Sequence, residues 1–251
     1  MLNIVIPMAG RGSRFSAKGY SLPKPLIPVN GRPMIDVVVD NLRPSGQHRF
    51  IFICLQEHIE RFGLVGHLEN LSPGCRIVEV DRVTEGAACT VLLARELINN
   101  EIPLMIANSD QFVDIDIDQY LCDLDANALD GLIMTMWADD PKWSFVIFDE
   151  KGNVCEVVEK QVVSHEATVG IYNYRHGSDF VSAADRMIRK DLRVNNEFYV
   201  APVYNEFVLD DKKIGVFNIG KVGDGMYGLG TPEDLDEFLA MHAPRLFAEM
   251  G

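Results

Sequence analysis

Residues 3–42 read "NIVIPMAGRGSRFSAKGYSLPKPLIPVNGRPMIDVVVDNL". The opening run, residues 3–8, has the length and apolar character of a buried strand. Directly after it come Gly10 and Gly12 on either side of Arg11, then Arg14, and finally Lys24 held between Pro23 and Pro25. Glycines let backbone N–H groups approach an anion closely. The Arg14 guanidinium can grip phosphate oxygens in pairs. Prolines on both sides restrict the backbone at Lys24, so its ammonium is aimed. Cationic groups directed at one region suit a reaction in which negative charge moves between phosphates. Pro33 at a first helical position opens "MIDVVVDNL", a helix expected to end before Pro44 and Gly46.

Outward from this stretch, apolar runs recur at 50–55, 76–80 and 103–107. Helical patterns lie between them, "EHIERFGLVGHL" after the second strand and "GAACTVLLARELINN" after the third. Strand and helix alternating at this pace predict an α/β fold, a mostly parallel sheet flanked by helices. Ligands of such sheets sit at the carboxyl ends of the strands, where the glycine loop falls. Beyond about residue 130 the strands crowd together at 131–137, 145–148, 154–158 and 168–174, with "DEKGN" as a turn. That spacing predicts a small antiparallel extension. A strand at 214–219 follows a helix at 178–189, and Thr231, Pro232 and Asp234 read as the cap and first turn of a C-terminal helix. No low-complexity linker interrupts the 251 residues, so one domain is expected, with a nucleotide-binding half over 1–130 and an acceptor-binding half over 131–251.

Hydrophobic residues make up 47% and charged residues 24%, enough for a full core and too apolar for disorder. The net charge of −14 would repel a nucleic-acid backbone, so no nucleic acid is expected as partner. An anionic substrate must therefore meet local positive charge, and Arg11, Arg14, Lys18, Lys24 and Arg32 fall within 22 positions. No apolar run reaches the length of a membrane span, and "MLNIVIP" has no basic leader. The five cysteines are scattered, as expected of free thiols in a cytoplasmic protein. The six histidines have no metal-ligand spacing.

Further candidates lie downstream. Asp110 ends the strand before "QFVDIDID", where a carboxylate facing the glycine loop is placed to hold Mg²⁺ between phosphate oxygens. Asp114, Asp116 and Asp118 alternate with apolar residues, either as a D-x-D metal motif or as a solvated edge that caps the next helix. Gly86, with Ala87 and Ala88, makes a small-residue helix start on which a flat base can lie, and Glu85 is an acceptor beside it.

The string "AGRGSRF…LPKPLIPVNGRPMID" resembles the signature of the nucleotidyltransferases that join a nucleoside triphosphate to a sugar phosphate or similar phosphorylated small molecule. The resemblance is strong over residues 3–42 and looser beyond. It implies a Rossmann-like, nucleotide-diphospho-sugar transferase fold in which the loop Ala9, Gly10, Arg11, Gly12, Ser13 wraps the triphosphate. It further implies that Arg14 and Lys24 hold the reacting phosphates, with Asp110 as ligand of Mg²⁺ and nucleobase recognition around Glu85 and Gly86. It assigns acceptor contacts to Glu159 and Lys160, substrate passage to Gly170, and sugar contacts to the segment of Asn196, Glu197 and Tyr199. Many members carry an aspartate two residues before the glycine of a G-T-P-like turn as second metal ligand. Here that position is Gly228, and Asp224 in the neighbouring glycine-rich loop is the expected substitute.

These readings converge on an Mg²⁺-dependent nucleotidyltransferase that takes an NTP and a phosphorylated acceptor and supplies a precursor for capsule or other surface polysaccharide. Self-association into a homo-oligomer is left open. The alternatives are a glycosyltransferase using Asp114 and Asp116 with a nucleotide sugar, and a nucleotide-binding domain without turnover.

Overall fold

The computed structural model describes residues 1–242. In chain order the first elements are β1 (Leu2–Pro7), α1 (Ser13–Ala17), a 3₁₀ turn at Lys24–Leu26, β2 (Pro28–Val29), β3 (Arg32–Pro33) and α2 (Met34–Asn41). There follow β4 (His48–Leu55), α3 (Gln56–Phe62), α4 (Leu64–Leu71), β5 (Arg76–Val80), α5 (Ala87–Leu92), α6 (Arg95–Ile98) and β6 (Leu104–Ala107). After these come β7 (Gln111–Val113), α7 (Ile117–Ala126), β8 (Gly131–Trp137), β9 (Ser144–Phe148), β10 (Val154–Glu159), β11 (Glu166–Tyr174) and α8 (Gly177–Arg189). The last are α9 (Tyr204–Leu209), β12 (Ile214–Val222), β13 (Gly225–Gly228) and α10 (Pro232–His242). The remainder of the expected C-terminal helix lies outside the described residues.

One sheet runs β5-β4-β1-β6-β11-β8-β12-β13-β7, with the β9–β10 hairpin attached through β11. Its β5, β4, β1 and β6 are mutually parallel, whereas β11 is antiparallel to both β6 and β8. The mixed, mostly parallel α/β architecture is the one expected. The chain leaves β1 for β4 and β5, then returns to β6 on the other side of β1. The order of connection reverses there, and the crevice outside the carboxyl ends of β1 and β6 is the place such sheets bind ligands.

Both faces of the sheet are covered, which explains the nearly unbroken apolar runs. Ile4, Ile6, Phe50 and Phe52 belong to the core packed with α2, α4, α7 and α10. Val5, Ile51 and Ile53 point the other way, to the core packed with α5, α8 and α9. Phe50 and Phe52 stack with centroids 5.8 Å apart and are fully buried, so truncating either costs about 3–5 kcal/mol.

Several boundaries depart from the sequence reading for local reasons. Pro33 belongs to the β2–β3 pair and precedes α2 rather than opening it. "EHIERFGLVGHL" is two helices, because Gly63 takes a left-handed φ of 63° between them. β7 and β13 were not foreseen; each is short, and they form only by pairing, β7 with β13 (Gly228 opposite Gln111) and β13 also with β12. The "DEKGN" turn is closed by Asp149, whose carboxylate accepts from the Lys151 and Asn153 N–H groups.

Candidate active site

The loop after β1 and the Lys24 turn are built as a unit. Gly12 has φ +60°, and a Cβ there would come within 3.1 Å of Lys24 Cβ. Glycine is therefore required both by the backbone and by the lysine packed over it. Pro23 and Pro25 are buried, and Lys24–Leu26 forms the 3₁₀ turn. The turn carries Lys24 Nζ to 2.7 Å from Asp110 Oδ2, with each side chain about a quarter exposed. Asp110 follows β6, and its carbonyl accepts from Leu229 N–H at 2.8 Å. A Cβ on Gly230 would sit 2.7 Å from Asp110 Oδ2, so this aspartate is also hemmed in by the turn before α10. The expected convergence of the glycine loop, Lys24 and Asp110 is present at the ends of β1 and β6.

A cleft opens beside this pair in two lobes of about 360 and 320 Å³ that share Arg14, Asn108, Asp110, Lys142 and Trp143. Arg14 is exposed and has no side-chain hydrogen bond or ion pair among the described residues. The larger lobe reaches Glu159, Lys160 and Gly170, which it brings together with Arg14 and Asp110. Glu159 is 5% exposed and accepts from the Ser144 hydroxyl. Burial raises its pKa above the ordinary carboxylate value, against the opposing pull of Ser144 and Lys160. Lys160 holds a left-handed φ of 57°, which strains a non-glycine residue. Its ammonium donates to the Tyr199 hydroxyl and lies 4.5 Å from that ring's centre. Gly170 has φ +88°, and any Cβ would overlap the Asn108 amide. The glycine is thus required by Asn108, whose N–H donates to the Gly170 carbonyl.

Of the expected site residues, Glu85, Gly86, Asn196 and Asp224 line neither lobe, and Arg11 lines a separate hollow with Glu57, His58 and Arg61. Glu85 lines neither lobe; it is largely exposed and ion-paired with Arg193 at 2.6 Å. The need for glycine at 86 comes from the backbone of Phe198, which a Cβ would overlap and which accepts from Ala88 N–H. Ala87, next to it, does reach the larger lobe. Asn196 sits exposed with φ +63° in the turn closed by Val194 and Glu197, and its neighbour Tyr199 lines the lobe in its stead. Asp224 lies at the wrong end of β13. Gly225 faces the Asp114 end of β7, whereas Leu229 faces Asp110, and those four residues of extended chain span ~13 Å.

Of the D-x-D alternative, Asp114 and Asp116, the second is engaged in its own helix. Asp116 caps α7 by accepting from Asp118 N–H, and Asp118 accepts from Ser45 N–H. Residues the sequence did not single out are Lys142 and Trp143, in what read as a plain connector, and Gln111 and Asp234 in the smaller lobe. Asp234 read only as the first turn of a helix, and nothing in its spacing from Asp110 announces that the two share a cavity. No cluster of three or more histidine, cysteine, aspartate or glutamate side chains suited to a metal occurs among the described residues. Asp110 and Asp234 are nevertheless hard oxygen donors on one lobe. That fits a cation such as Mg²⁺, which uses one or two carboxylates and takes its other ligands from phosphates and water.

The family model described as "Nucleotidyl transferase" matches residues 4–198. The bifunctional protein GlmU of Methanococcus aeolicus is 23% identical over 178 residues, 70% of this chain and 40% of that protein. The mannose-1-phosphate guanylyltransferase catalytic subunit beta of Danio rerio is 26% identical over 177 residues, 68% of this chain and 49% of that protein. The chain thus spans between two fifths and half of these relatives. The crystal structure of the nucleoside-diphosphate-sugar pyrophosphorylase from Vibrio cholerae RC9 superposes with a TM-score of 0.79 at 25% identity, over 94% of this chain and 99% of that one. A UDP-glucose pyrophosphorylase complexed with UDP-glucose shares the fold, with a TM-score of 0.77 at 17% identity, over 98% of this chain and 99% of that one.

Proposed function

The chain belongs to the nucleotidyl transferase family, and on that footing we propose that it joins a nucleoside triphosphate to a sugar phosphate with release of pyrophosphate. The observation that carries this reading is the Lys24–Asp110 pair set beside the glycine loop and the uncommitted Arg14 guanidinium. A phosphate oxygen of the acceptor attacks the α-phosphorus. The bond to the bridging oxygen breaks, and pyrophosphate leaves with the electron pair. The attacking oxygen is already ionised, so no side chain need act as base. Catalysis is then positioning plus charge neutralisation.

In this scheme the loop Ala9–Ser13 offers backbone N–H groups to the triphosphate, and Arg14 and Lys24 neutralise charge at the reacting phosphates. Glu159 accepts from an acceptor hydroxyl, and Lys160 meets the acceptor phosphate. Asp110 would hold Mg²⁺, which would supply charge neutralisation at the reacting phosphates. Such a product is a nucleotide-activated sugar, the form in which sugars enter surface-polysaccharide assembly. NTP supply makes the cytoplasm its natural setting. The engagement of Asp116, one of the Asp114–Asp116 pair, in capping α7 disfavours a glycosyltransferase.

The test is pyrophosphate release from five nucleotides set against a panel of sugar phosphates. One pairing is expected to release pyrophosphate in proportion to enzyme. Release from none of them, with nucleoside diphosphate freed from a nucleotide sugar instead, contradicts the reading.

A further inference from the structure

We propose that Asp234 is the second carboxylate of a divalent-cation site anchored by Asp110, supplying from α10 what residue 228, a glycine, cannot. Gly228 and Gly230 carry the argument. A Cβ on Gly228 would lie 3.4 Å from Asp234 Cγ and 3.5 Å from its Oδ2, while one on Gly230 would lie 2.7 Å from Asp110 Oδ2. One short stretch of backbone therefore has a carboxylate packed against each end, and both carboxylates line the same lobe of about 320 Å³. The Asp234 side chain is not spent on its helix. Thr231 Oγ1 accepts from Asp234 N–H at 3.0 Å, but the Asp234 carboxylate has no hydrogen bond or ion pair among the described residues.

A second observation points to a ligand here. Gln111 lies directly across the β13–β7 pairing from Gly228 and is 3% exposed. Its side chain helps line this lobe, and its Nε2 is buried without a hydrogen-bond partner. A buried amide donor left unpaired costs about 1–3 kcal/mol, which an oxygen of an incoming ligand would recover. Two hard oxygen donors and one amide donor at one lobe suit a small divalent cation together with the phosphate or water oxygens it brings. The absence of thiol and imidazole from the set excludes a preference for soft metals. The inference rests on the nucleotidyl-transfer reading only for the identity of the phosphate-bearing ligand; the cation site itself is tested without one.

The probe is Mn²⁺ alone, titrated by water-proton relaxation against the wild-type protein and variants shown by circular dichroism to be folded. Asp234→Asn is expected to weaken Mn²⁺ binding at least fivefold, and Asp224→Asn to leave it within twofold of wild type. Adding Gly228→Asp to Asp234→Asn places a carboxylate in the same space and is expected to recover most of the loss. Wild-type affinity in Asp234→Asn, the fivefold loss appearing in Asp224→Asn instead, or no Mn²⁺ binding by the wild type would each overturn the proposal. Pyrophosphate release by the wild type, measured separately, judges the reaction independently of this site.

Discussion

Lys24 Nζ and Asp110 Oδ2 meet at 2.7 Å across the crevice between the β1 and β6 ends, 86 residues apart in sequence. The pair is partly exposed, so it contributes at most about 1 kcal/mol to folding. Its placement matters more than its stability. On the proposed reading, an ammonium and a carboxylate that neutralise each other in the free protein would become, when a triphosphate enters, one cation for phosphate and one oxygen donor for metal. Lys24→Ala should therefore fold with an almost unchanged melting temperature while kcat for pyrophosphate release falls ~10²-fold or more. Near-normal release by the folded variant would remove Lys24 from the reaction.

Gly12→Ala separates backbone from chemistry. The new methyl group meets both a φ of +60° and Lys24 Cβ at 3.1 Å. We expect a loss of about 1 kcal/mol or more in urea unfolding, together with a kcat lowered beyond what the unfolded fraction explains. A variant that is destabilised yet has normal kcat per folded molecule would show that the lysine's position is not held by Gly12.

At Gly86 the expected damage falls on the acceptor side. A Cβ there overlaps the Phe198 backbone at φ +127°, and Phe198 N–H donates to the Glu85 carbonyl in the same junction. Gly86→Ala should cost about 1–3 kcal/mol, which for a protein of this size lowers Tm by several degrees. Because Tyr199 and Lys160 are carried by the displaced segment and its contacts, KM for the sugar phosphate should rise more than KM for the nucleotide. Equal rises would argue that the junction has no bearing on the acceptor lobe.

Glu159 predicts a pH signature. Burial raises its pKa above 4.5, so the folded state holds this proton to higher pH than the unfolded chain does. Stability from this group is therefore full below pH 4.5 and declines as pH rises through the folded-state value. Glu159→Gln should remove that decline, flattening urea stability just above pH 4.5, and should raise KM for the acceptor. An unaltered pH slope in the variant would mean the carboxylate is solvated and not buried as described.

Much of this was legible in residue order. Strand periodicity, the glycine pair and the prolines around Lys24 are local signals, and each names its chemistry without knowledge of the rest of the chain. Asp110 could be placed because a strand end is also local. What could not be read were contacts made across the fold. Gly230 is required by Asp110, Gly86 by Phe198 and Gly170 by Asn108, and no spacing rule links those pairs. Glu85 looked like a base acceptor because its partner, Arg193, lies 108 residues on. Asp224 was named for its nearness to Gly228 in sequence and Asp234 read only as a helix start, whereas the β13–β7 register and the turn into α10 set Asp234 beside Gly228 in space.

The most direct measurement is a crystal structure with a non-hydrolysable nucleoside triphosphate and Mg²⁺. The account predicts phosphates against the Gly10–Arg14 backbone, Lys24 released from Asp110 onto a phosphate oxygen, and Asp110 on the cation. A triphosphate bound elsewhere, with the Lys24–Asp110 pair still closed at its present distance, would contradict it.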